Sequence, residues 1–215
     1  MNVMLLHATP FGDDLAGRAA AVCTNSTNYR KSLDHALEGG HESVTEHVTF
    51  TFLVTGVSRT LLAQLTRHRI ASYSVLSQRY VDMGDMPVVV PPSIHEKKPL
   101  MDRYTKLMED IKAFYHDAVQ AGVPKEDARY ITPQAATTSI IFTMNARELN
   151  HFFSLRCCNR AQWEIRAMAD QMLLMCKKEC PRIFAEAGPG CVRGRCPEKR
   201  PCGTPKGKGW LCMED

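Results

Sequence analysis

No apolar run in this sequence approaches the roughly 20 residues that a helix needs to cross a bilayer, so no membrane span is expected. No Gly-x-Gly-x-x-Gly element is present, which speaks against a Rossmann-type nicotinamide site. Met1 to Pro10 has neither a basic n-region nor a small-residue cleavage site. A signal peptide is therefore not expected, and the protein is expected in the cytoplasm. Internal repeats are also missing. Most telling is a local absence: from His47 to Tyr80 there is no Asp, Glu or Lys, although Arg59, Arg67, Arg69 and Arg79 all fall there. Arginine without lysine favours planar, bidentate recognition of phosphate or carboxylate, the alternative being a surface that is merely basic.

What is present is ordinary globular material. The 215 residues, 44% hydrophobic and 23% charged, can bury a sizeable core, and the net charge of +4 decides little by itself. Nine cysteines, an odd number in a chain without an export signal, point to reduced thiols over a disulfide framework. Composition shifts to Gly, Pro, Cys and basic residues beyond Gly188. The expected division is a domain over residues 1–187 and an irregular tail over 188–215.

Periodicity outlines the elements. Asn2 to Ala8 suits a strand, and Thr27 to Leu37 a helix stopped by Gly39-Gly40. Val48, Phe50, Phe52 and Val54 alternate with Thr49, Thr51 and Thr55, a strand with one buried face that Gly56 is expected to break. Ser58 can then cap a helix to about Arg67. Met86 to Pro92 reads as an edge strand or extended loop. Met101, Tyr104, Met108, Ile111, Tyr115 and Ala118 recur at helical spacing up to Gly122, a core face rather than a cofactor box. Thr137 to Met144 suits a second strand. Asn145 can cap a helix running to about Asn159, and Ile165, Ala169, Met172 and Cys176 mark another, stopped near Pro181. The class is α+β: a small mixed or antiparallel sheet packed with several helices, in one compact domain per subunit.

The densest chemistry is Arg67-His68-Arg69, with Ser77 after seven intervening residues and Arg79 two further on. Guanidiniums this close in sequence repel unless anions hold them together. On the following helix Asn145, Leu149, Phe152 and Arg156 share one face, its ends about 16 Å apart, and Arg147 and His151 form an i, i+4 pair. A strip of that length suits an extended dinucleotide beside a second nucleotide, the alternative being a partly buried helix whose Arg and His pair with carboxylates elsewhere.

The triplet and its spacing resemble the signature of the flavin-dependent thymidylate synthases. His41-Glu42-Ser43, Glu46-His47, Phe50-Thr51-Phe52 and Gln64 match that family's run into its motif. Arg129-Tyr130-Ile131-Thr132-Pro133 resembles its Arg-containing turn, where Leu often replaces Thr132. Asn145-Ala146-Arg147, His151-Phe152, Leu155-Arg156 and Ala161-Gln162-Trp163-Glu164 match its late helices. The resemblance covers about residues 1–187.

It implies that Arg67, His68 and Arg69 bind FAD, with Ser43, Glu46, Asn145, Arg147 and His151 around its other parts. Gln64, Ser77, Arg79, Arg129 and Arg156 would form the dUMP pocket, and Arg156 would be the catalytic residue beside the uracil. NADPH and methylenetetrahydrofolate are the implied co-substrates, and a homotetramer with sites shared between subunits the implied assembly.

Two other readings compete with this one. A nucleic-acid binder would need more stacking aromatics than Tyr73 and Tyr80, so no nucleic-acid partner is expected. A simple flavin reductase would leave Gln64, Arg79, Arg129 and Arg156 without a reason. Cys23 and Cys176 fall on predicted helices among apolar neighbours. Cys157 and Cys158 are read as packing rather than as nucleophiles, and Ser77 as a hydrogen-bonding residue, since no general base is fixed beside it. Cys191, Cys196 and Cys202, with Cys180 or Cys212, could complete a four-thiolate zinc shell. Their gaps are looser than in zinc modules, and the expectation is free thiols with no metal.

Overall fold

The computed structural model describes residues 1–207, 210 and 211. Four strands, β1 (Asn2–Ala8), β2 (Thr49–Ser58), β3 (Ala71–Val75) and β4 (Thr137–Asn145), are hydrogen-bonded in the order β1-β2-β4-β3. The register is antiparallel where contacts mark it. The N–H of Thr9 donates to the Thr49 carbonyl, that of Ala146 to Val48, and that of Arg59 to Ala136. The Thr51 and Thr143 hydroxyls meet at 2.8 Å. With several helices around this antiparallel sheet the class is α+β, as expected.

Helices α1 (Gly12–Thr24) and α2 (Tyr29–Glu38) follow β1, and α3 (Arg59–Leu65) follows β2. Next come α4 (Pro92–His95), α5 (Lys98–Gln120) and α6 (Lys125–Ala128), then α7 (Ala146–Arg156) and α8 (Trp163–Glu179) after β4. The chain divides into two compact units. One comprises Met1–Asn2, Val54–Gln64 and Ser74–Ile140; the other comprises Val3–Leu53, Leu65–Tyr73 and the chain from Ile141 onward.

In the second unit the apolar alternation of β2 becomes the core: Val48, Phe50 and Phe52 are fully buried. Phe52 stacks on Phe142 of β4, while Phe50 and Phe153 of α7 each meet the edge or face of Phe184. Ile165, Ala169, Met172 and Cys176 of α8 are buried as their spacing predicts. No apolar period outlines α1, because its inward residues are the small Ala16, Gly17, Ala20 and Ala21. A Cβ on Gly17 would lie 2.6 Å from the Tyr29 carbonyl, so glycine lets α1 and α2 approach.

In the first unit, Met108 and Tyr115 of α5 are buried, and Tyr115 packs with Met83 and Ala128. The other apolar residues of that face are partly covered. Val88 makes a single antiparallel bridge to Ala136, so 86–91 is an extended segment rather than a strand, and Pro92 opens α4.

Three boundaries differ from expectation. Gly56 does not end β2: it adopts φ +68°, and the buried side chains pass from even positions to Val57. One extra residue at a left-handed glycine shifts the pleat without ending the ladder. Helix α7 ends at Arg156, three residues early. Strand β3 lies where no element was expected, although Ala71, Tyr73 and Val75 are the less exposed residues of an alternating segment.

Candidate functional site

The Arg67-His68-Arg69 triplet follows the end of α3. The His68 N–H donates to the Leu65 carbonyl, closing the last turn. The Tyr73 hydroxyl reaches the carbonyls of His68 at 2.7 Å and Leu65 at 2.9 Å. Burial, then the charge of Glu148, pushes the Tyr73 pKa up to about 12, so the hydroxyl remains a donor. This pinned turn separates the three side chains. Arg67 and Arg69 are exposed, whereas His68 is 4% exposed.

The His68 ring lies along α7. Its Nδ1 is 2.9 Å from Oε1 of Glu148, itself 7% exposed. Its Nε2 accepts a hydrogen bond from Nε of Arg156 at 3.1 Å. Phe152 meets the ring edge-on at 4.9 Å between centroids. Burial lowers the His68 pKa, the Glu148 hydrogen bond opposes that, and Arg156 reinforces it, so the imidazole is neutral at pH 7. Arg156 is half-buried, and desolvation followed by repulsion from Arg67 lowers its pKa.

Beside this chain of groups is a pocket of about 560 Å³ lined by Glu42, Glu46, Ile70, Asn145, Arg147 and His151, with Glu148 at its wall. Arg147 is paired with Glu46. Asn145 caps α7 by accepting from the Glu148 N–H at 2.9 Å. Ser43 sits on the same 3-10 turn as Glu46 (Glu42–His47) but is absent from the lining, where Glu42 takes part. Among the described residues neither Arg67 nor Arg69 makes an ion pair. Two exposed, uncompensated guanidiniums near a pocket with an exposed apolar Ile70 fit a polyanionic cofactor with a flat ring.

One sequence inference needs correction. Leu149 and Phe152, placed on a polar strip between Asn145 and Arg156, are fully buried. The face a ligand can reach is that of Arg147 and His151, both exposed.

The other arginines gather in the first unit. Nε of Arg79 donates to Oε2 of Glu126 at 2.8 Å, and Nε of Arg129 donates to the Glu126 carbonyl at 3.0 Å. Arg59 lies near enough to Arg129 that burial, then this repulsion, lowers its pKa. The Arg79 N–H donates to Ser77 Oγ at 3.3 Å, which places Ser77 at the base of the loop. Thr132 receives a hydrogen bond from Gln78 and donates to the Arg129 carbonyl, a fastening that Leu at this position could not make. Gln64 bonds back to the Thr60 carbonyl on α3. Three guanidiniums thus gather around Glu126, whose carboxylate meets Arg79 and whose backbone carbonyl meets Arg129, an arrangement suited to a phosphate. Of the expected substrate set only Arg156 belongs to the second unit.

Sequence reasoning did not single out Glu148, Tyr73, Glu126 or Arg59 as site residues. Glu148 did carry a signal, standing three residues after the capping Asn145.

The tail differs from the zinc arrangement considered above. Cys191, Cys196, Cys202 and Cys158 line a pocket of about 230 Å³, while Cys180 is buried at the end of α8 and Cys212 lies outside the described residues. Among the described residues no group of three or more His, Cys, Asp or Glu converges on a metal position. Cys23, expected among apolar neighbours, is exposed. No helix among the described residues is long and apolar enough to cross a membrane.

An α+β fold with two arginine clusters suits a protein that handles anionic ligands. Residues 4–182 match the family model described as thymidylate synthase complementing protein. The chain is 46% identical to the flavin-dependent thymidylate synthase of Geobacter sulfurreducens over 92% of its length and 91% of the relative's. It is 46% identical to that of Pyrococcus furiosus, over 81% and 75%, and 40% identical to that of Clostridium tetani, over 92% and 91%. The chain belongs to the flavin-dependent thymidylate synthase family of enzymes.

Proposed function

We propose that this enzyme converts dUMP to dTMP, taking the carbon from methylenetetrahydrofolate and the hydride, through FAD, from NADPH. The observation that carries the reading is the division of labour within the arginines. Arg67 and Arg69 are exposed and uncompensated beside an open pocket, Arg79 and Arg129 share Glu126, and Arg156 is half-buried and held by His68.

FAD, when bound, relays the hydride between NADPH and the one-carbon unit. Arg67, His68 and Arg69 would hold it, the two arginines at its anionic groups, with Ser43, Glu46, Asn145, Arg147 and His151 around the remainder. Arg79 and Arg129 bind the dUMP phosphate bidentately, exchanging the Glu126 contacts for phosphate oxygens. Gln64 and Ser77 offer neutral hydrogen bonds to the same nucleotide. Arg156 stabilises negative charge on the uracil ring amide, which raises electron density at the ring carbon to be methylated.

No cysteine nucleophile takes part. Burial, followed by Asp170, holds the Cys157 thiol far above the usual range, so the thiolate such a step needs is scarce. The working assembly is a homotetramer with sites shared between subunits, and the exposed apolar Leu100, Leu107 and Phe114, which recur every seven residues on α5, offer a surface for contact between copies. We place the enzyme in the cytoplasm without a nucleic-acid partner, its working part in residues 1–187.

The test is direct. Purified protein should be yellow, release FAD in stoichiometric amount on denaturation, and form dTMP from dUMP, methylenetetrahydrofolate and NADPH. Colourless protein that takes up no added FAD refutes the proposal.

A further inference from the structure

The reading of Arg156 leaves open what holds its guanidinium, and the geometry points to Glu148. We propose that Glu148 is a positioning residue for Arg156, acting through the tautomer of His68. The inference rests on the uracil-facing role given to Arg156 above.

An arginine Nε–H is a donor and can accept nothing, so the His68 Nε2 at 3.1 Å from it must be the acceptor. A neutral imidazole with an accepting Nε2 carries its proton on Nδ1, and that atom lies 2.9 Å from the Glu148 carboxylate. The carboxylate therefore selects the tautomer. Were the proton on Nε2, two N–H groups would face each other and the guanidinium would swing away.

The frame around the ring has little freedom. Glu148, Phe152 and Arg156 are spaced four apart on α7, over about 12 Å of helix axis, and all three contact the ring. The Glu148 main chain is fixed by the Asn145 cap, and the Tyr73 hydroxyl fixes the His68 carbonyl. Side-chain and backbone restraints thus converge on one ring orientation, which a partner needed only to fill space would not require.

The experiment uses flavin-loaded protein with labelled histidine and reads the His68 ring by solid-state 15N NMR, its signals assigned by their loss in His68→Asn. Wild type at pH 7.5 should show Nδ1 protonated and Nε2 bare. Glu148→Leu should move the proton to Nε2 and lower kcat for dUMP roughly fivefold to a hundredfold, the range for removing one partner of a buried hydrogen bond, with a smaller change in KM. Glu148→Gln, whose amide oxygen can still accept from Nδ1, should keep the wild-type tautomer and most of the turnover.

A wild-type ring protonated on Nε2, or on both nitrogens, overturns the proposal without any variant having to fold. So does a Leu variant whose tautomer moves while kcat does not, or a Gln variant that loses as much turnover as Leu with its tautomer intact. Wild-type protein that shows the stated tautomer yet forms no dTMP instead refutes the thymidylate reading.

Discussion

Removing the Arg156 side chain should separate two energies that the structure places in one residue. Arg156→Ala deletes the donor to His68 Nε2, and that nitrogen sits in a ring only 4% exposed. A buried acceptor left without its partner costs about 1–3 kcal/mol. For a chain of this length that is roughly 2–12 °C in melting temperature, at about 2–4 °C per kcal/mol. The second energy acts only during reaction. Loss of one preorganised group facing developing charge costs about 2.7–4 kcal/mol, a hundredfold to a thousandfold in kcat. Flavin content should hold, because Arg67, Arg69 and the Glu46–Arg147 pair are untouched. Arg156→Lys should recover little, since an ammonium lacks the planar fork that reaches ring and imidazole together. The assay is dTMP formation by chromatography on protein of matched flavin absorbance, with a melting curve alongside. Turnover of the alanine variant within a few-fold of wild type refutes the role of Arg156, and an unchanged melting curve refutes the His68 contact.

Acid should destabilise the protein through His68. Its folded pKa lies below the ordinary 6.5, so as pH falls the unfolded chain takes up the proton first, and stability drops from about pH 6.5 until the folded pKa is passed. Urea midpoints at pH 7.5 and 5.5 should converge in His68→Asn, and an unchanged pH dependence there sinks the assignment. Arg129→Ala should raise KM for dUMP about tenfold to a hundredfold with little change in kcat, the cost of a hydrogen bond to a charged group; a pure kcat effect would move Arg129 off the phosphate. Thiol labelling should be fastest at exposed Cys202, whose pKa Thr204 lowers, and slowest at buried Cys157, Cys176 and Cys180, the last pushed up to about 12 by burial. Mass spectrometry that finds Cys176 labelled first in native protein contradicts this packing.

The sequence alone determined what short-range physics controls. Alternation located β2, a β-branched apolar run located β4, a 3.6-residue period located α5 and α8, and the capping choices at Ser58 and Asn145 hold, with Ser58 Oγ accepting from the Leu61 N–H. The spacing of Arg67, His68, Arg69 and Ser77, together with the matching segments on either side, also pointed to the family. The residue that organises the candidate site was not legible. Nothing local says that His68, unlike its two arginine neighbours, turns inward, and the capping position of Glu148 does not say that its carboxylate meets a buried imidazole. They are 80 residues apart, and only the tertiary fold brings the two side chains within hydrogen-bonding distance. The same holds for Glu126, which meets Arg79 across 47 residues. Periodicity reports which face of an element is buried, but the partner of a buried charge is a long-range contact, and that is decided when the strands pair.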